Sequence, residues 1–156
     1  MSTFSEQDVS MMREAMALAR AAGERGEVPV GAVLALDDVI VGRGANRCIQ
    51  DHDATAHAEV IALRDAGAAL GNYRFPGSRL YVTLEPCMMC LGALVHARVA
   101  EVIYAAPDPK SGVLEGAASL ASGAWLNHRI EHRAGLMADE AGEMLVDFFR
   151  QRRKKG

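Results

Sequence analysis

No apolar run in this 156-residue chain approaches the roughly 18 residues that a membrane-spanning helix needs. The amino end, Met1-Ser2-Thr3-Phe4-Ser5-Glu6, also lacks the basic start and apolar core of a secretory signal. A membrane role is therefore not expected, and the cytoplasm is the expected compartment. Excess positive charge is missing too: 17 Lys and Arg stand against 20 Asp and Glu, for a formal net charge of -3. No global basic field exists to hold nucleic acid indiscriminately, so any such contact must be local. Cysteine is sparse. Three residues, Cys48, Cys87 and Cys90, cannot pair off into a disulfide framework, and in a reducing compartment the Cys87-x-x-Cys90 spacing reads as metal or redox chemistry. There is no internal repeat.

What the chain has is core-forming material. At 156 residues and 50% hydrophobic it can close one sizeable core and is too short for two comfortable domains, so residues 1–156 read as a single domain. Ser5 looks like an N-cap, with Asp8 at the reciprocal position of a capping box and Phe4 and Val9 placed as a hydrophobic staple, for a helix running to about Arg20, before Gly23. Residues 30–36 and 39–44 are β-rich runs joined at Asp37-Asp38, which fits a hairpin. Residues 56–69 have helical spacing, with Ala58, Ile61, Ala62 and Asp65 near one stripe and His57 at the mouth. A short strand is expected at 80–84. Pro86 then suits the first turn of a helix reaching about His96.

Residues 99–106 read as a further strand, 107–124 as an irregular Gly-, Ser- and Ala-rich segment, 129–132 as an edge strand and 138–153 as a closing helix with Leu145, Phe148 and Phe149 at helical spacing. Strand-helix alternation after an opening hairpin argues for a three-layer α/β/α arrangement around a mixed, roughly five-stranded sheet.

Two short motifs carry the chemistry. Cys87 and Cys90, three apart at a helix start, put both sulfurs on one side, where free amides and the positive end of the helix dipole favour thiolate. His57 and Glu59 are two apart and turn through about 200° along a helix, so they cannot share a mid-helix face. They converge only if that helix points end-on into a pocket. Both helix starts are therefore placed at one Zn²⁺, held by His57, Cys87 and Cys90. Three protein ligands leave a tetrahedral ion one position for water, the mark of a catalytic rather than a structural site.

His-x-Glu followed by Pro-Cys-x-x-Cys is the known signature of zinc deaminases acting on nucleobases, in which the Glu is general acid and base and not a ligand. Glu59 is expected to take a proton from the attacking water, pass it to the ring nitrogen and later protonate the departing amine. Other readings stand beside this one. Cys87-x-x-Cys90 also fits a redox pair, and a fourth ligand from Cys48 or His52 would make a closed structural site.

With these residues placed, the chain resembles the bacterial tRNA-specific adenosine deaminases, the TadA family of the cytidine deaminase-like fold. The likeness is nearly end to end. Beyond the zinc motifs it includes Val28-Pro29-Val30-Gly31-Ala32-Val33, Asn46-Arg47, Asp53-Ala54-Thr55-Ala56, Tyr81-Val82-Thr83-Leu84-Glu85, Asn127-His128-Arg129 and Asp147-Phe148-Phe149-Arg150. The resemblance implies a homodimer that converts the wobble adenosine of an arginine tRNA anticodon to inosine, the base splayed from a single-stranded loop. It also implies that Asn46 hydrogen-bonds the base or ribose, that Val30 and Ala58 line the pocket, and that Asp108 lies in a loop touching the anticodon backbone.

Pro107 and Pro109 stiffen that loop, a departure from the family pattern. Asn46 and Asp108 are also ordinary turn residues. Arg150, Arg152 and Arg153 suit phosphate contact or simply the helix dipole, and Phe149, with Phe148, suits base stacking or the core. The helix after Cys87 is apolar nearly all round, consistent with a dimer seam. The nearest rival is a deaminase of a free base or nucleotide of the guanine or cytosine type. Met88 inside the cysteine pair weakens the guanine version, which resembles Cys-Pro-x-Cys there.

Overall fold

The computed structural model describes residues 3–155, with the side chains of 3–154. Its elements run α1 (Glu6–Glu24), β1 (Gly31–Leu36), β2 (Val39–Ala45), α2 (Ala58–Leu70), β3 (Arg79–Leu84), α3 (Met88–His96), β4 (Glu101–Ala106), β5 (Glu131–Ala134) and α4 (Ala138–Lys155). The strands form one sheet in the order β2-β1-β3-β4-β5. β1 pairs antiparallel with β2 and β3, and β3-β4-β5 run parallel, so the sheet is mixed as expected.

Alternation along the strands builds the layers. Ala32, Leu34, Leu80, Val82, Val102 and Tyr104 face α2 and α3, while Val33, Ala35, Tyr81, Ile103 and Ala105 face α1 and the start of α4. Both sheet faces are covered, which gives the expected α/β/α sandwich.

Local chemistry explains the ends. Ser5 Oγ accepts from Asp8 N–H and Asp8 Oδ2 accepts from Ser5 N–H, each at 3.0 Å, completing the capping box. α1 continues past Arg20 and through Gly23, because the left-handed residue that ends it is Gly26, at φ +88°. Asp37 and Asp38 adopt φ 50° and 62°, the paired left-handed turn that matches strand twist in a two-residue hairpin. Pro86 does not enter the first turn of α3. Cys87 is the N-cap in extended backbone (φ -83°, ψ 177°) and the helix begins at Met88, so Pro86 stands one residue outside. β5 sits two residues later than expected, where Arg133 binds Glu101 at 2.9 Å and buried Asp8 at 3.1 Å, tying the edge strand to β4 and α1.

α2 carries half of the candidate site, and small residues set its height above the sheet. Its buried face is Ala58, Glu59, Ala62 and Ala66, and Asp65 instead accepts from Arg43 N–H at 2.8 Å at the edge. Beneath it, a Cβ on Gly44 would stand 2.2 Å from the Ala58 carbonyl oxygen and 2.5 Å from Ala62 N. Only glycine allows that approach. Gly44→Ala is expected to lift the start of α2, at a cost of about 1–3 kcal/mol. Thermal unfolding reads this as a fall in Tm of roughly 2–4 °C per kcal/mol. An unchanged Tm would show that the helix rides higher than described.

Candidate metal centre and cleft

His57 is the N-cap of α2 and Cys87 the N-cap of α3, and neither side chain caps its own helix. The capping of α2 comes from elsewhere: Asn46 Oδ1, after β2, accepts from Ala58 N–H at 2.8 Å. This frees the His57 ring to turn away from its helix. Its Nδ1 lies 3.6 Å from Cys87 Sγ and 3.4 Å from Cys90 Sγ, and the three donor atoms lie within 4.8 Å of one another. For zinc in a tetrahedral site, with Zn–S of about 2.3 Å and Zn–N of about 2.0–2.1 Å, nitrogen and sulfur ligands stand about 3.6 Å apart. The cluster therefore has the spacing of a single bound ion. Among the described residues it comprises these three; Cys48, whose Sγ lies 4.0 Å from the Ala54 carbonyl, is not part of it.

The electrostatics point the same way. Hydrogen bonds to Cys90 and His57 hold the Cys87 thiol far below its ordinary range, while its bond to Cys87 and its burial push the Cys90 thiol up. The bond to Cys87 raises His57. Glu59, 4% exposed, is pushed up by burial, partly offset by its own backbone amide and by His57. Two sulfurs and a carboxylate around one imidazole would be costly to ionise together without a cation, which is the condition that pushes Cys90 and Glu59 up. Zn²⁺ fits the donor set.

The cluster opens on a cleft of about 890 Å³ lined by both polar and apolar side chains, His57 and Cys87 among them. His57, Glu59, Cys87, Asn46, Val30, Asp108, Phe149 and Arg153 all line it, whereas Cys90 is fully buried. Ala58 does not: its side chain is 0% exposed, in the core against the sheet, and only its backbone amide serves the site, through Asn46. Arg150 and Arg152 are also outside the lining, the first 3.5 Å from Asp147 and the second stacked 5.4 Å above the Phe148 ring. Asp108 Oδ1 accepts from Lys110 and Ser111 N–H, both at 3.1 Å, the self-contained bonding of a turn.

Several lining residues lie outside the sequence reading of the pocket, among them Leu84, Glu85, Leu145 and Val146. Glu85 is 2% exposed, and although burial acts to raise its carboxyl, hydrogen bonds from Glu115, Asp108, Gly116 and Leu114 amides bring it below its ordinary value. The signal for it was a lone acidic residue between an apolar strand and Pro86.

Among the described residues no helix is long and apolar enough to cross a membrane. Residues 5–106 match the model for the cytidine and deoxycytidylate deaminase zinc-binding region. The chain is 46% identical to a tRNA-specific adenosine deaminase of Agrobacterium fabrum over 91% of its own length and 93% of that protein. A solved structure from a study of A-to-I editing by tRNA:A34 deaminases at the wobble position is 45% identical. It superposes with a TM-score of 0.85, covering 87% of this chain and 99% of that one. A guanine deaminase from Bacillus subtilis, 39% identical over 67% of this chain and 66% of its own, superposes at 0.61. The shared zinc-binding region, the near full-length identity and the paired helix starts around one cation site agree: this chain belongs to the zinc-dependent deaminases, in the family of the tRNA-specific adenosine deaminases.

Proposed function

We propose that this protein converts the wobble adenosine of an arginine tRNA anticodon to inosine in the cytoplasm, releasing ammonia, and that it works as a homodimer. The observation that carries the reading is a buried Glu59 beside a three-ligand cation site, in a cleft much roomier than one base requires. At about 890 Å³ the cleft reaches the upper part of the range for drug-sized ligands. That suits a base splayed from a loop together with its neighbouring nucleotides.

His57, Cys87 and Cys90 would hold the Zn²⁺, which when bound would supply Lewis acidity and bring the pKa of a water toward ~7. Glu59, at the second position of α2, is the group that moves protons. It takes one from the attacking water and gives it to the ring nitrogen beside the attacked carbon, then takes the remaining proton from the new hydroxyl on that carbon and delivers it to the amine as the C–N bond breaks and C=O forms, so that adenosine and water become inosine and ammonia. Asn46 uses its side-chain oxygen on Ala58 N–H, leaving the amide nitrogen to donate to the base or ribose. Val30 supplies an apolar wall and Phe149, 39% exposed, a surface on which a flanking base can stack. For the dimer, the support is the outward side of α3, where Met88 is 70% exposed and a Cβ on Gly92 would meet nothing.

Phosphate contact is assigned first to Arg153, which lines the cleft, and less to Arg150 and Arg152, which are engaged by Asp147 and Phe148. Arg153→Gln is expected to weaken stem-loop binding and to flatten the log-log salt dependence by about 0.7, the value for one phosphate on a single strand. An unchanged slope would leave the tail a solvated helix end.

Incubating the protein with an arginine tRNA anticodon stem-loop, then digesting to nucleosides for mass analysis, tests the whole reading. Inosine at the wobble position supports it, and inosine from other stem-loops alone would overturn the arginine assignment. Ammonia released from free guanine or cytosine, with no inosine in RNA, would overturn the tRNA reading.

A further inference from the structure

Residues 107–130 carry no helix or strand, yet part of this stretch forms one wall of the cleft. Loops beyond about 12–15 residues without structure of their own are seldom held in compact domains unless something organises them. Here one side chain does so. Glu85 Oε2 accepts from the backbone N–H of Leu114 at 3.0 Å, Glu115 at 2.7 Å and Gly116 at 2.8 Å, while Oε1 accepts from Asp108 N–H at 3.0 Å. Pro86 adds a main-chain tie, its carbonyl accepting from Val113 N–H at 3.1 Å. The loop thus folds around a carboxylate that is 2% exposed.

The glycines of the loop bear this out independently. A Cβ on Gly112 would lie 2.3 Å from Glu85 Cδ, and one on Gly116 would lie 2.1 Å from the Asp108 carbonyl oxygen and 2.8 Å from Glu85 Oε1. Chain and carboxylate are packed so closely that neither position has room for a side chain. The loop is tethered from one side by Leu114 in the core and from the other by Glu85, and residues 107–111 project from this anchor along the cleft.

We propose that Glu85 is a positioning residue for substrate: by gathering the amides of Asp108, Leu114, Glu115 and Gly116 it fixes residues 107–111 as the wall that grips the nucleotides around the reacting base. The assignment of what is gripped rests on the function proposed above. Glu85 touches no reacting atom. Its loss is felt in how well substrate is held rather than in the proton transfers of Glu59.

Two variants of the zinc-loaded full chain test this. Glu85→Gln keeps the volume but turns an NH₂ donor toward at least one of the four amides, and Gly116→Ala forces the same clasp open from the loop side, by crowding the Asp108 carbonyl and Glu85 Oε1, with the carboxylate itself retained. Each is read by zinc stoichiometry, by hydrogen exchange at residues 108 and 114–116 against α2, and by KM and kcat on an anticodon stem-loop. The expected result is zinc retained, exchange in the loop faster by about tenfold or more with α2 unchanged, and a KM increase of about tenfold that exceeds any fall in kcat, the scale for losing one charge-assisted hydrogen bond. Unchanged loop exchange, an unchanged KM, a loss confined to kcat, or loss of zinc would each overturn the proposal. If the unsubstituted protein turns over no stem-loop, the functional reading fails, while the exchange measurement still decides whether Glu85 holds the wall.

Discussion

Glu59→Gln is expected to keep its zinc and to lose turnover by roughly 10²–10⁴-fold, the range that general acid-base catalysis contributes. The substitution preserves volume in a pocket where the side chain is 4% exposed, so the helix start has no reason to move. What it removes is the ability to take up and return a proton. Burial, which pushes the Glu59 carboxyl up, makes it a better proton carrier than an exposed carboxylate, whose low pKa would leave it reluctant to accept. Because Glu59 is not one of the three clustered ligands, metal content should stay at one zinc per chain. Zinc analysis alongside single-turnover kinetics checks both halves. Near-normal turnover would remove Glu59 from the chemistry, and loss of zinc would recast it as a ligand.

The second large effect is expected at Cys90. Cys90→Ala takes away a ligand that is fully buried at the third position of α3, and the remaining His57 and Cys87 hold the ion by two donors instead of three. Zinc is expected to be lost on dialysis and activity with it. The variant should also melt lower than the loaded protein, because an ion that binds only the folded chain stabilises it by mass action. Acid acts on the same site from the other side. His57 must be neutral and the cysteines ionised to bind, so zinc release is expected as pH falls, and the raised pKa of His57 starts that competition at a higher pH than an ordinary imidazole would. A Cys90→Ala protein with full zinc and full activity would contradict the ligand assignment.

How much of this was legible in the sequence depended on the range of the interaction. The Ser5–Asp8 capping box, the Asp37-Asp38 hairpin and the placing of His57 and Cys87 at helix starts are set by neighbours within a few residues, and local patterns express them directly. The convergence of His57 with the cysteines spans some thirty residues, yet zinc chemistry demands it, so ligand types and spacing revealed it. Packing against the sheet was less legible. Asp65 was placed on the inner stripe of α2, but the contact is set by Gly42 and Gly44 beneath Ala58, Ala62 and Ala66, and a one-dimensional stripe does not register how close two backbones come.

Side-chain direction was hidden for the same reason. Ala58 adjoins two site residues in sequence and faces the core, and of the three arginines in the tail only Arg153 turns to the cleft. The Glu85 clasp joins residues 23 to 31 apart through backbone amides, which have no sequence signature at all.

The coordination of the metal is the point on which the account stands, and X-ray absorption at the zinc edge on fully loaded protein measures it directly. The prediction is two sulfurs at about 2.3 Å, one imidazole nitrogen at about 2.0–2.1 Å and one exchangeable light-atom ligand. A third sulfur or a second imidazole filling that last position would make the centre structural and contradict the account.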